Sequence, residues 1–321
     1  MEEYLSRNMG MDLVRATEAA AANSGRWMGL GNPVEADLAA TQALLEVINT
    51  INIDGSVVIG EEKPGQDTKI RSGMKVGTGA GPQVDIVIDP VDGRLQLALG
   101  HPGAISVVAV APAGTMQSPA PARYMYKIVS NAEVGPSLVA ECIDAPAAWT
   151  LALVARAKGK KVKNLIVTVL DRPRHRDLIE EIRSAGARVI LRPDGDIAGA
   201  LLACAPDSDV DVLMGIGGTL EGLIVACAVK ALGGGMLARI EPQSDEERNA
   251  VKEAGINTEL IFSCSDLVDS NEVFFTATGI TEGPLLSGIT YRGNRARTNS
   301  MILRGITKTR RIIHAEHVLD Y

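Results

Sequence analysis

The stretch Asp85-Ile86-Val87-Ile88-Asp89-Pro90-Val91-Asp92-Gly93 decides how this chain is read, because a β-branched run leads straight into two carboxylates three positions apart. Pro90 lacks a backbone donor and is expected to end the strand, and Gly93 permits a turn. Asp89 and Asp92, with the Val91 carbonyl, offer the hard oxygen ligands that Mg²⁺ or Mn²⁺ prefers. The same spelling also suits an Asx-type turn that does nothing more than cap a strand end.

A second strand end lies upstream. Val57-Val58-Ile59-Gly60-Glu61 places Glu61 just beyond a buried run, where it can complete the same carboxylate cluster or simply face solvent. Paired metals held by such carboxylates neutralise a phosphate and lower the pKa of an attacking water.

Outward from these strands the periodicity predicts helices over 11–28 and 35–50, through Leu13, Ala16 and Ala20 and through Leu38, Leu44, Leu45 and Ile48. Buried strands are expected over 56–60, 84–88 and 105–110, and a loop over the Pro- and Ala-rich 111–122. Beyond residue 162 the pattern alternates: strand 165–170, helix 175–185, strand 187–191, helix 196–204, strand 210–214, helix 219–232. Strands alternating with helices imply parallel crossover units. The expected division is a metal-site domain over 1–150 and an α/β substrate-binding domain over 151–321, with the boundary between Asp144 and Lys163.

The composition agrees with an α/β protein. The chain has 321 residues, 46% of them hydrophobic and only 3% aromatic, with 33 glycines, which is the usage of helices packed on sheets through tight turns. A net charge of -7 excludes a general nucleic-acid binder, so an anionic ligand needs local cations. Cys142, Cys204, Cys227 and Cys264 show no metal-ligand spacing and read as reduced core thiols. The start Met1-Glu2-Glu3 lacks a basic leader, and no apolar run nears the roughly 18 residues of a membrane span, so a cytoplasmic protein without a membrane partner is expected.

Taken together, several motifs resemble the class II fructose-1,6-bisphosphatases of the inositol-monophosphatase-like superfamily. They are Val58-Ile59-Gly60-Glu61, Lys75-Val76-Gly77-Thr78-Gly79, Asp89-Pro90-Val91-Asp92-Gly93, Tyr124-Met125, Arg172-Pro173-Arg174-His175, Pro193-Asp194-Gly195-Asp196, Gly215-Ile216-Gly217-Gly218, Glu221-Gly222, Ala277-Thr278-Gly279-Ile280 and Arg310-Arg311. The run from Val169 to Val189 is similar to the bacterial enzymes that accept both fructose and sedoheptulose bisphosphates. The resemblance implies a layered α/β/α/β/α sandwich, hydrolysis of the C1 phosphate of fructose 1,6-bisphosphate, a Mg²⁺ or Mn²⁺ cofactor and a homo-oligomer, dimer or tetramer. It also implies metal ligands at Asp37, Glu61, Asp89, Asp92 and Glu221, and a catalytic set of Asp37, Glu61, Asp92 and position 94. Sugar-phosphate contacts are implied for Gly93, Tyr124, Arg172, Arg174, Asp194, Asp196, Gly217 and Gly218. The residue types are compatible: two arginines can fork a phosphate, two aspartates can accept sugar hydroxyls, and glycines before a helix offer N–H donors.

This sequence departs from the family pattern in three places. The catalytic loop holds Asp92 where the family has glutamate and Arg94 where it has the threonine thought to orient the attacking water; a guanidinium has five donors and no acceptor. Lys63 stands where a carboxylate is expected, and Pro33-Val34-Glu35 replaces a polar triplet. Two alternatives follow: a catalytically impaired paralogue that binds phosphosugars in a regulatory role, favoured by Arg94 and Lys63, and an inositol-phosphate-type phosphatase, suggested by Asp92.

Other candidates have plainer readings. His101, His175, His314 and His317 lack ligand spacing, and only His175 draws interest, through its neighbours. The acid-free run Tyr291–Arg311, with seven basic residues, reads as a solvated face, or as a face turned to an anion or to an acidic patch on another subunit.

Overall fold

The computed structural model describes residues 5–62 and 68–319. In chain order its elements are α1 (Met9–Ser24), α2 (Pro33–Ile48), β1 (Asp54–Val57), β2 (Lys75–Val76), β3 (Gln83–Asp92), α3 (Arg94–Leu99), β4 (Ile105–Pro112), β5 (Tyr124–Ser130), α4 (Ala147–Ala157), β6 (Ile166–Leu170), α5 (Arg176–Ser184) and β7 (Arg188–Arg192). They continue with α6 (Asp196–Cys204), β8 (Val212–Gly218), α7 (Thr219–Leu232), β9 (Gly235–Ile240), α8 (Asp245–Glu253), β10 (Ile261–Ser263), α9 (Cys264–Leu267), β11 (Phe274–Gly279), β12 (Thr290–Arg292), β13 (Arg295–Arg304) and β14 (Thr309–Val318). The fold is mixed α/β, with two mixed sheets.

The chain divides into two compact units, Met1–Met116 joined by Ser270–Tyr321, and Gln117–Asp269. The expected division was 1–150 and 151–321. The stretch 144–163 is no linker, since it contains α4, whose Leu151 and Val154 are fully buried in the core of the second unit. The chain passes from the first unit to the second in the 113–123 loop, which overlaps the Pro- and Ala-rich segment, and returns at 269–270.

The first unit's sheet runs β12-β13-β11-β4-β3-β1-β2, with β14 alongside β13. Helices α1 and α2 pack on it. Leu13, Leu44 and Ile48 are wholly buried there, and at about 1.5–3 kcal/mol for each large aliphatic side chain this packing outweighs any intrinsic helix preference. Asn32 starts α2 by accepting the Glu35 N–H at 3.2 Å, with Pro33 in the first helical position, where no donor is missed. Ile86-Val87-Ile88 of strand β3 form an apolar run because both faces are covered: Val84, Ile86 and Ile88 join the core with the helices, and Val87 is equally buried behind them. Pro90 does not end this strand. Pairing with β4 resumes at Asp92, and two residues of β3 stand where β4 has one, so the proline sits in a bulge that needs no donor.

The second unit's sheet runs β10-β9-β5-β8-β6-β7. Every element of the predicted alternation from 165 to 232 is present, and helix 196–204 has the expected bounds. The crossover expectation holds for β6, β7 and β8, which are mutually parallel neighbours, whereas β5, β9 and β10 pair antiparallel and were not anticipated. Cys142, Cys204 and Cys227 are buried, while Cys264 is half-buried and burial pushes its thiol up to about 12.

Candidate functional site

In the second unit the predicted contact residues gather at one end of one sheet. Strands β6, β7 and β8 all point their carboxyl ends the same way, and Arg172 and Arg174, Asp194 and Asp196, and Gly217 and Gly218 lie at or just after those ends. Tyr124 begins the antiparallel neighbour β5 and pairs with Gly218, so it reaches the same edge. Helices α5, α6 and α7 each begin there. A parallel-strand carboxyl end with helix N-termini is the standard place for an anionic ligand, because free backbone N–H groups and helix dipoles face it.

The side chains are held by one another. Arg172 Nη2 lies 2.8 Å from Asp194 Oδ1 and Nη1 donates to the Pro193 carbonyl; Arg174 Nη2 donates to the Ile216 carbonyl at 2.8 Å. The Arg174 guanidinium also lies over the Tyr124 ring, 5.3 Å from its centroid. The two arginines of this one loop are thus held by different partners, Arg172 by the 193–194 turn and Arg174 by β8, rather than forming a single free fork. Burial lowers the Arg174 pKa, with Tyr124 opposing and Arg172 adding to the shift.

Three residues that the motif reading passed over, or valued only for their neighbours, fix this arrangement. His175, buried, accepts the Ile216 N–H on Nε2 at 2.8 Å and has Nδ1 2.7 Å from the Leu170 carbonyl. Those partners require the neutral tautomer with its proton on Nδ1. Burial, reinforced by Arg174 and Arg172 against the Leu170 carbonyl, lowers its pKa below the usual 6.5. Lys127 is 1% exposed, ion-paired to Asp196 and 3.2 Å from the Gly218 carbonyl. Glu247, also buried, accepts the Arg123 and Tyr124 N–H groups at 2.6 and 2.9 Å and so clamps the start of β5. A lysine inside a strand and a glutamate in a polar helix carry no sequence signal of this role. The glycine pair is required by space: a β-carbon at Gly217 would overlap the Asp196 carboxylate, and one at Gly218 would overlap that of Glu221, in the first turn of α7.

In the first unit, Asp89 and Asp92 are 5% and 4% exposed at the end of β3, and Asp89 Oδ1 accepts the Val91 N–H at 3.1 Å, the Asx-type contact that was the plainer reading. Gly93 follows in a left-handed conformation with φ 95°, which turns the chain into α3. Asp37 projects from the second turn of α2. Arg94, the first residue of α3, joins it to Glu61: its Nε lies 2.8 Å from Asp37 Oδ1 and its Nη2 is ion-paired to Glu61 Oε1. Lys63 lies outside the described residues.

The donor chemistry of Asp37, Glu61, Asp89 and Asp92 suits a hard divalent ion, but their arrangement does not. Such an ion needs several oxygens converging at about 2.0–2.6 Å. Among the described residues no three His, Cys, Asp or Glu side chains are gathered in that way, and two of the four carboxylates grip a guanidinium instead.

Comparison with known proteins reaches the same family as the motifs. Residues 7–317 match the family described as bacterial fructose-1,6-bisphosphatase, glpX-encoded. The chain is 40% identical over 330 aligned positions to fructose-1,6-bisphosphatase 1 class 2 of Escherichia coli K12, covering 98% of this chain and 97% of that protein. The class 2 fructose-1,6-bisphosphatases of Escherichia coli O6:H1 and Shigella flexneri give the same identity and coverage. With the motifs and nearly the whole length in agreement, this chain belongs to the glpX-encoded family of bacterial fructose-1,6-bisphosphatases.

Proposed function

We propose that this chain is a phosphoric monoester hydrolase that converts fructose 1,6-bisphosphate and water to fructose 6-phosphate and inorganic phosphate. Water attacks the phosphorus, the bond to the C1 oxygen breaks, and that oxygen takes a proton. The observation that carries the reading is the meeting of three strand ends, three helix N-termini and two arginines in the second unit, a setting suited to a sugar phosphate. Asp194 and Asp196 are proposed to accept sugar hydroxyls, and Tyr124 to bound the pocket beside Arg174.

The family resemblance implies a Mg²⁺ or Mn²⁺ ion at Asp37, Glu61, Asp89, Asp92 and Glu221. As the side chains stand, Asp37 and Glu61 are not disposed to hold one. That contact favours a second reading, in which the chain binds phosphosugars and turns them over slowly or not at all. Phosphate release from fructose 1,6-bisphosphate, sedoheptulose 1,7-bisphosphate and inositol 1-phosphate, each with Mg²⁺ and with Mn²⁺, tests both. Turnover of the first two supports hydrolysis; binding of bisphosphate without turnover supports the second reading; preference for inositol phosphate removes both.

Among the described residues no helix is long and apolar enough to cross a membrane, and a cytoplasmic location is proposed. Assembly with copies of itself is proposed through β14, where Arg310 and Arg311 are exposed while Glu316 pairs with Arg295 and Arg297. Charge reversal at Arg310 and Arg311 that leaves the mass in light scattering unchanged would remove this interface.

A further inference from the structure

We propose that Arg94 is a tethered cation that sits between the Asp37 and Glu61 carboxylates of the first unit, so that a divalent ion reaches them only by displacing it. The inference rests on the family reading solely for its expectation that a metal belongs here.

The geometry is specific. One guanidinium spans two acids brought from different parts of the chain, with Nε on Asp37 of α2 and Nη2 on Glu61 beyond β1. The acids are sheltered, their side chains being 19% and 9% exposed, so solvent screens the contact only partly. Positioning comes from the backbone: the bulge after Asp89 and the left-handed Gly93 deliver residue 94 as the first of α3, beside α2. A guanidinium stays protonated at any pH the fold survives, so no ordinary change of pH releases it. Its charge lies against carboxylate oxygens that a small octahedral ion needs, and it repels that ion at short range. Arg94 therefore neutralises charge on these carboxylates without metal and weakens any metal that competes for them, although Asp37 Oδ1 meets it as an ion pair and not as a hydrogen bond.

Calorimetric titration of Mn²⁺ into the full chain, without substrate, provides the test. Arg94→Thr and Arg94→Gln are compared with the parent, the second keeping a longer side chain that can hydrogen-bond in case the first folds poorly. Both variants are expected to bind Mn²⁺ at least tenfold more tightly than the parent, and Mn²⁺ is expected to raise their melting temperatures more than the parent's. Equal affinity in parent and variants, or no binding in any of them, overturns the proposal. Phosphate release measured separately keeps the two readings apart. A chain inert towards fructose 1,6-bisphosphate that still gains Mn²⁺ affinity on loss of Arg94 refutes the substrate assignment alone, and an active chain whose affinity ignores residue 94 refutes the tethered cation alone.

Discussion

Replacing Lys127 by methionine keeps the length of the side chain and removes its charge. The lysine is 1% exposed and its partner Asp196 is 5% exposed, so the variant leaves a carboxylate in the interior with its cation gone. Removing one member of a buried pair costs about 3–5 kcal/mol. For a domain of this size each kcal/mol lowers the midpoint by about 2–4 °C, so the second unit should melt about 6–20 °C lower. Thermal unfolding of the full chain followed by circular dichroism reads this directly. The double variant Lys127→Met with Asp196→Leu removes both charges and should regain most of the loss, because no unpaired ion remains. A single variant that melts within about 2 °C of the parent would show that the pair is unimportant to stability. A double variant as unstable as the sum of both singles would show that the two residues do not act on each other.

Three further outcomes are expected. His175 is held neutral with a lowered pKa, so the unfolded chain binds the extra proton more readily; stability is full above pH 6.5 and falls as pH drops from 6.5 through the folded value. His175→Asn should flatten that part of a plot of melting temperature against pH, and an unchanged slope refutes the assignment. Asp211, fully buried, meets Lys158, Lys160 and the Ile166 N–H at 2.7–2.9 Å; burial alone would raise its pKa, but these partners lower it overall. Its stabilisation is present above the usual 3.8 and fades as pH falls below that value, and Asp211→Ala, which strands the sheltered Lys158, should cost about 3–5 kcal/mol in urea unfolding at neutral pH. Gly217→Ala forces a methyl into the Asp196 carboxylate, and a drop of about 1–3 kcal/mol is expected, checked by the same denaturant series.

How much was legible in the sequence depended on whether the controlling force was local. Helix 196–204 and its neighbours stand where apolar periodicity put them, because burial acts on each element separately. Strands β11, β13 and β14 were missed because their pairing depends on distant partners, Phe274 facing Val110 for example. Pro90 misled because a rule about donors was applied without knowing that a bulge would excuse the missing one. The motifs pointed to Tyr124, Arg174 and Asp196, but the residues that hold these in place, Glu247, His175 and Lys127, are set by tertiary contacts and have ordinary local surroundings. The unusual residue at position 94 was visible at once; that it bridges Asp37 and Glu61 required coordinates.

The return of the chain to its first unit has a consequence during synthesis. Strand β4 stays an open edge until β11 arrives from beyond residue 270, after the whole of Gln117–Asp269 has been made. Such distant pairing is slow to form, and an uncovered apolar strand invites association with other nascent chains. The middle unit can close while its neighbour waits. A chain truncated before Phe274 should therefore yield a protease-resistant middle fragment and an aggregating remainder.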